Sequence, residues 1–416
     1  MLIESMFSTL NREAEMPSPD GRDLLTTAQA AARLGVKPET VYAYVSRGLL
    51  TSSRLPGVRG SVFDVEEVEA LASRDTARRT DIGTVERIRT RITLLDDDHL
   101  YYRGRNAVDL TTYSFESVAH FVWTGHLDSD RRFHVDPVVA QKCRDAAASL
   151  SPDCRFIDRI RLAVDVAATH RPMRVDISPK SVVSEAGQLS ATVAASLTEA
   201  APDTSVAESM WAAVRSEASD PRGLTVLRAA LVLMLDHSLA ASTLAVRVAA
   251  STRAHLYSVV AAGLGCIDGP LHGSAAEPAY RFITSARVDP ISALAQHLRS
   301  GERVPGFGHV IYTDRDPRAQ ELLRLLRDPA SGANAAVMAA ADIVIDEMRD
   351  RFDTFPNSDF ALATFTCAFD LRPDTPEALF AFARIAGWTA HALEEYDEPP
   401  LRFRVPGIYT GIRPRT

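Results

Sequence analysis

The apolar positions of the first eighty residues fall into short helical periods punctuated by glycine and proline. Met1 to about Gly21 is polar and aperiodic, with Pro17 and Pro19 near its end, and is expected to be a disordered tail. From Leu24 the pattern changes. Ala30, Ala31 and Leu34 recur at helical spacing behind Thr26 or Thr27, either of which can cap a helix that Gly35 ends. Pro38 opens a second helix through Val41, Tyr42 and Val45 to Gly48. A short extended stretch around Arg54, a turn from Gly57 to Gly60 and Val62-Phe63 follow, and Asp64 can cap a third helix with Val65, Val68 and Leu71 on one face. The polar stretch that ends at residues 76–88 is expected to be a linker.

Beyond the linker, residues 89–416 alternate helical patterns with short loops. Thr225 to Leu235 is almost wholly apolar, as in a helix buried on all sides. Between Glu377 and Glu395, Leu379, Phe382, Ala386, Thr389 and Leu393 recur at helical spacing. Strand-like alternation is confined to short runs such as Tyr101-Tyr102 and Leu401 to Val405. The fold class expected is mainly α, and the pattern holds no internal repeat.

The chain's 416 residues suffice for two or three domains and an enzyme-sized core. Its 46% hydrophobic and 24% charged residues are ordinary globular values, which excludes wholesale disorder. A formal charge of -8 excludes bulk electrostatic binding of nucleic acid, so any DNA contact must be local. Only three of the 46 cationic residues are lysines (Lys37, Lys142, Lys180), a bias that reads as genomic. Cys143, Cys154, Cys266 and Cys367 lie far apart with no C-x-x-C pair, so neither a zinc knuckle nor a disulfide framework is expected. The histidines show no metal-ligand spacing, so no metal is expected; no cofactor is expected either. With no leader-like or membrane-length apolar run, the expected location is cytoplasmic.

Between Arg33 and Gly60 the sequence has Arg33, Lys37, Arg47, Arg54 and Arg59 against the single acid Glu39, a local basic face on an acidic chain. With the helix, tight turn, helix pattern, residues 22–75 resemble the winged helix-turn-helix of the excisionase and MerR-like families. The resemblance implies that Lys37, Thr40, Tyr42 and Tyr44 lie on or near the groove-facing helix and that Arg54 and Arg59 sit at the wing. A docking or dimerisation role fits the same module.

Further along, His, Asp and Arg concentrate beside Gly or Pro in Leu235-Asp-His-Ser-Leu, Gly269-Pro-Leu-His-Gly, Val304-Pro-Gly-Phe-Gly-His through Asp316-Pro-Arg, and Asn357-Ser-Asp-Phe. Followed by Ala383-Arg-Ile-Ala-Gly-Trp and Arg404-Val-Pro-Gly, and preceded by Tyr102-Arg-Gly-Arg, these resemble the citrate synthase family in order and spacing. The resemblance implies an almost all-helical homodimer, or a higher homo-oligomer, with a small subdomain at roughly 275–385. It implies condensation of acetyl-CoA with oxaloacetate to citrate and CoA, a step of the tricarboxylic acid cycle.

Enolising a thioester methyl at neutral pH demands a base on carbon and a donor on oxygen together. By the resemblance Asp359 is the base, His272 the donor on the thioester oxygen, and His309 the group that polarises the ketone. Arg318, Arg384 and Arg404 hold the carboxylates of the oxo acid, Arg404 from a neighbouring subunit, and His237 hydrogen-bonds it. Pro305, Gly306, Phe307 and Gly308 fold round coenzyme A, with Arg315 at its phosphates. Read singly, Asp359 could be a helix cap and Arg384 a surface residue. The chain departs from the family pattern at Ser238, at Ala240 or Ala241, at Ala276 and at Thr313, which thins the polar support around His237 and His272. Propionyl-CoA condensation to 2-methylcitrate, and a DNA-binding regulator that keeps the fold as a metabolite sensor, are the alternatives.

Overall fold

The computed structural model describes residues 16–17, 23–34, 36–54, 60–65, 67–68, 71, 88–151, 153–199, 204–217, 219–270, 272–273 and 276–404. Gly35, Arg59, residues 76–87 of the linker and Val405 onward lie outside the described residues. The chain divides into two compact units, residues 1–87 with 402–416, and residues 88–401.

In the first unit, strands β1 (Met16–Pro17), β2 (Asp23–Thr26), β3 (Ser52–Ser53) and β4 (Val62–Asp64) form an antiparallel sheet in the order β1-β2-β4-β3. The pairing of Met16 with Leu24 and of Pro17 with Asp23 corrects, at those two residues, the expectation of a disordered tail from Met1 to Gly21; residues 1–15 and 18–22 lie outside the described residues. A two-residue ladder needs only backbone groups, which no side-chain pattern announces. Helix α1 (Thr27–Leu34) is capped by Thr26. The Thr26 amide donates to Gln29 Oε1 at 2.8 Å and the Gln29 amide donates to Thr26 Oγ1 at 3.3 Å, a reciprocal cap. Helix α2 (Pro38–Ser46) ends at Gly48, whose φ of 69° allows the Leu49 amide to reach back to the Tyr44 carbonyl at 2.9 Å. Leu25, Ala30, Ala31, Val41, Leu50, Phe63, Val68 and Leu71 close a small core.

The second unit begins with a meander, β5 (Thr93–Asp96), β6 (His99–Tyr102) and β7 (Arg105–Asn106). Its helices are α3 (Phe115–Thr124), α4 (Pro137–Ala147), α5 (Phe156–Thr169), α6 (Pro179–Ser196), α7 (Val206–Val214), α8 (Gly223–Leu233), α9 (Ala241–Ser251) and α10 (Leu256–Ile267). They continue as α11 (Ala276–Ala286), α12 (Pro290–Ser300), α13 (Pro317–Arg327), α14 (Ala335–Phe352), α15 (Ser358–Ala368) and α16 (Thr375–Asp397). The apolar run at Thr225 to Leu235 is α8 and its exit, buried except for a short stripe at Thr225 and Arg228. Leu401 to Phe403 are turns, which corrects the strand-like reading of that run. The Leu401 amide is taken by the Ser251 carbonyl at the end of α9, at a φ of 58° that no strand has. Helix α16 is the spine of this unit: Ala378, Leu379, Ala381, Phe382, Ile385, Ala386, Trp388, Ala390 and Ala392 are buried all round it.

Candidate active site

A cavity of about 640 Å3 opens in the second unit, and His237, His272, His309, Arg318, Asp359 and Arg384 all line it. They come from five separate stretches of chain. Leu95, Leu239 and Phe380 add apolar wall.

One wall is built from helix ends. Asn357 caps α15, its Oδ1 accepting from the Asp359 amide at 2.9 Å and its Nδ2 donating to the Gly308 carbonyl at 3.0 Å. Asn357, not Asp359, is therefore the cap, and the Asp359 carboxyl is left to the cavity. Burial pushes that carboxyl up to about 6, against the opposing pull of Arg318. Asp316 caps α13, whose second residue is Arg318. The cap carboxylate takes Arg318 bidentately, Nε to Oδ1 at 3.0 Å and Nη2 to Oδ2 at 2.7 Å, and accepts the Ser358 amide at 3.0 Å. One buried aspartate thus ties the start of α13 to the start of α15. The loop Pro305–Gly308 lies along this wall. Gly306 has a φ of 83°, and a Cβ on it would come within 2.7 Å of Phe360, so only glycine fits. Its carbonyl accepts the Asn357 amide at 2.8 Å, while Phe307 packs on Phe360 with ring centroids 4.8 Å apart.

Three histidines converge in neutral form. His309 accepts the Ile311 amide on Nδ1 at 3.0 Å, which leaves the ring proton on Nε2. Burial, and then Arg318, hold it down to about 4. His272 pairs through Nε2 with Ser242 Oγ at 2.8 Å, and burial followed by Arg384 brings it to about 4. His237, held well below its usual range by burial and by the two arginines, pairs through Nε2 with the Tyr312 hydroxyl at 2.9 Å. The His237 and His309 rings meet edge to face at 5.2 Å.

The opposite wall carries Arg384, 1% exposed and on the central turn of α16. Its Nε donates to the Met234 carbonyl at 3.2 Å, and its ring neighbour is Phe380 at 4.7 Å. Nη1 and Nη2 are buried with no hydrogen-bond partner among the described residues. A guanidinium in that state costs free energy unless a ligand accepts from it. An anion with paired oxygens, such as a carboxylate, is the matching acceptor.

Not every expected site residue joins the cavity. Of the 305–308 loop, Gly308 lines it. Arg315 is exposed and contacts His99 at 3.2 Å, while the neighbouring amides of Thr313 and Asp314 are both held by Asp98 at 2.7 Å. Arg404 is exposed and belongs to the other compact unit. In that unit Lys37, Tyr42 and Arg54 are exposed, Thr40 is half-buried, and Tyr44 packs against the small core. Sequence reasoning missed Asp316, Asn357, Ser242 and Tyr312. Asp316 and Asn357 carried a readable signal, a cap residue directly before a helix start. Gly263 lies inside α10 and faces the Trp388 indole, where a Cβ would approach to 2.7 Å, so its glycine serves helix packing. Among the described residues no three His, Cys, Asp or Glu side chains converge as a metal-ligand set, and no helix is long and apolar enough to cross a membrane.

Residues 83–415 match the family model "Citrate synthase, C-terminal domain", and residues 24–76 match a helix-turn-helix domain model. The chain is 27% identical over 343 residues to Citrate synthase 2 of Bacillus subtilis, covering 76% of this chain and 91% of that protein. It is 28% identical over 354 residues to 2-methylcitrate synthase 1 of Corynebacterium glutamicum, covering 77% and 91%. The fold is shared with the citrate synthase of Thermoplasma acidophilum solved as a ternary complex with carboxymethyl coenzyme A and oxaloacetate. The TM-score is 0.64 at 23% identity, over 80% of this chain and 96% of that one.

Proposed function

This chain belongs to the citrate synthase family, and we propose that it joins acetyl-CoA to oxaloacetate and hydrolyses the product thioester to citrate and CoA. The observation that carries this reading is one cavity holding a carboxyl raised to about 6, two neutral histidines, and a buried arginine with two unanswered donors. Asp359, ionised at neutral pH yet more basic than an ordinary carboxylate, removes the methyl proton. His272 donates to the thioester oxygen as negative charge develops there. The resulting enol carbon bonds to the ketone carbon of oxaloacetate, and His309 supplies a proton from Nε2 to the new alkoxide. Water then cleaves the thioester, releasing the CoA thiol. Arg384 and Arg318 hold carboxylates of the oxo acid and His237 hydrogen-bonds it, with Arg404 completing the site from a second copy in a homodimer. Loop Pro305–Gly308 and Arg315 serve coenzyme A. This reaction would place the protein in the tricarboxylic acid cycle of a cytoplasm.

Thiol release from acetyl-CoA and propionyl-CoA with oxaloacetate, measured on the full chain, tests the reading. Turnover with acetyl-CoA supports it, and oxaloacetate binding without turnover would replace it with a metabolite-sensing role. The 2-methylcitrate synthase relative and the apolar wall at Leu95, Leu239 and Phe380 favour propionyl-CoA as a second substrate. One methylene in such a pocket is worth only about 1–3 kcal/mol, so the ratio of the two kcat/KM values decides between them.

For the first unit we propose local DNA contact by Lys37, Thr40, Tyr42 and Tyr44 at the second helix and by Arg54 and Arg59 at the wing. The helix-turn-helix match and the exposed side chains of Lys37 and Arg54 support it. Arg54→Ala with Arg59→Ala should weaken a gel shift and flatten its salt dependence. An unchanged shift would refute the wing assignment.

A further inference from the structure

Helix α16 presents Arg384, Gly387, His391 and Glu395 at intervals of three and four, which places them on one face. That face lies on the turn carrying His237. The fit is close at Gly387, where a Cβ would come within 2.4 Å of the Leu235 carbonyl oxygen and 2.5 Å of Asp236 Oδ1. Against it runs a chain of polar and charged groups with no solvent access. Arg247 of α9, His391, Asp236 and Glu395 are each 0% exposed. None of them lines the cavity.

The direction of the bonds from Arg247 through His391 to Asp236 can be assigned. A guanidinium only donates. Arg247 places Nε at 3.1 Å and Nη2 at 2.9 Å from His391 Nδ1, and Nη1 at 3.1 Å from Glu395 Oε2, with Glu394 as a further partner. His391 Nδ1 is therefore an acceptor, and the ring proton sits on Nε2. That nitrogen donates to Asp236 Oδ2 at 3.4 Å, while Oδ1, 3.3 Å away, is buried with no hydrogen-bond partner among the described residues. Asp236 Oδ2 accepts in addition from Thr93 Oγ1 at 2.5 Å and from the Ser238 amide at 3.0 Å. Ser238 has a φ of 56°, a left-handed backbone that a serine adopts only when its surroundings hold it. His237 lies between the aspartate and this strained residue. From below, the Tyr102 hydroxyl takes the Asp236 amide at 3.3 Å and donates towards its carbonyl at 3.1 Å.

We propose that His391 and Arg247 are positioning residues for the oxo-acid site. Arg247 fixes the tautomer of His391, and His391 orients Asp236. Asp236 pins the left-handed turn that presents His237 and sets a fixed negative charge near Arg384, whose Nη1 and Nη2 remain unbonded for the ligand. The inference rests on the oxo-acid reading above and concerns that half of the site alone, since neither His272 nor Asp359 is attached to this chain of bonds.

The test compares the full chain with His391→Leu and His391→Gln, using calorimetry with oxaloacetate, steady-state KM for both substrates, and circular dichroism. His391→Leu should raise the Kd and KM for oxaloacetate by about tenfold or more while the acetyl-CoA KM stays within about twofold, as expected for a misplaced binding group. Glutamine can offer an amide N–H where Nε2 stands, so His391→Gln should recover most of the loss. A folded His391→Leu with an unchanged oxaloacetate KM would overturn the inference, as would equal losses for both substrates or a folded His391→Gln no better than leucine. Should His391→Leu fail to fold, Thr93→Val removes one donor to Asp236 from the meander side. It should raise the oxaloacetate KM severalfold, and no change would overturn the inference. A wild type that binds no oxaloacetate would remove the oxo-acid reading itself, whereas normal wild-type binding with an unaffected His391→Leu removes this inference alone.

Discussion

The two walls of the cavity hold a buried arginine each, and they hold it in opposite ways. On the helix-end wall Arg318 is neutralised in advance by the bidentate Asp316 cap. On the α16 wall Arg384 has one bond to a carbonyl and two donors with none, and burial lowers its proton affinity where the Asp316 partner helps raise that of Arg318. The difference separates two tasks. Arg318 belongs to the architecture that joins α13 to α15 and only secondarily to a ligand. Arg384 is stored unsatisfied, and the ligand supplies what the fold withholds.

Substitution at the two arginines tests that contrast most directly. Arg318→Ala leaves Asp316 as a buried unpaired charge and should cost ~3–5 kcal/mol of folding stability in urea titration. Arg384→Met removes a buried cation that has unsatisfied donors and no bidentate partner, so its stability cost should be clearly smaller than that of Arg318→Ala. Oxaloacetate affinity by calorimetry should nevertheless fall by about 100-fold, the worth of a charge-assisted pair. Equal stability losses at the two positions would erase the distinction.

On the helix-end wall, Asp359→Asn keeps the shape and removes the base. Turnover should fall by about 100-fold or more with oxaloacetate affinity retained, measured by thiol release beside calorimetry. Near-normal turnover would move the base elsewhere.

Acid sharpens the same comparison. Because Asp359 is raised to about 6, turnover should decline as pH falls through that value, by about tenfold near pH 5. The histidines act on stability with the sign of a lowered group. His272 and His309 titrate near 4 when folded and higher when unfolded, so the unfolded chain binds protons first. Their contribution is complete above about pH 6.5, the ordinary histidine value, and is lost as pH falls towards 4. Thermal midpoints across pH 7 to 4 check this, and a flat profile would contradict the buried neutral state. The smallest effect is expected at Asn357→Ala. It removes the cap of α15 for about 1 kcal/mol and unfastens Gly308, so kcat should drop modestly with little change in fold.

Much of this was legible in the chain. Thr26 or Thr27 marks a helix start, Pro38 another, and the apolar run before Asp236 gives a buried helix. Motif residues His237, His272, His309, Arg318, Asp359 and Arg384 were all recognisable, and all six line one cavity. The long-range contacts of the supporting residues were not legible. Asp316 reads as an ordinary cap before a proline, and nothing in its neighbours says that its second oxygen holds the Ser358 amide 42 positions away. Tyr312 and Ser242 read as incidental polar residues until the loops that carry them meet His237 and His272.

The sequence alone determined what recurs locally: helical period, caps, the glycines that left-handed or close-packed backbone requires, and the kinds of side chain that the chemistry demands. Protonation, pairing and burial were decided only by tertiary structure, because each depends on the dielectric and on partners that lie far along the chain. Thus Asp359 is raised and His309 is lowered by the same event, their removal from water. Arg247 and His391, 144 positions apart, become one hydrogen-bonded unit only when α9 and α16 pack.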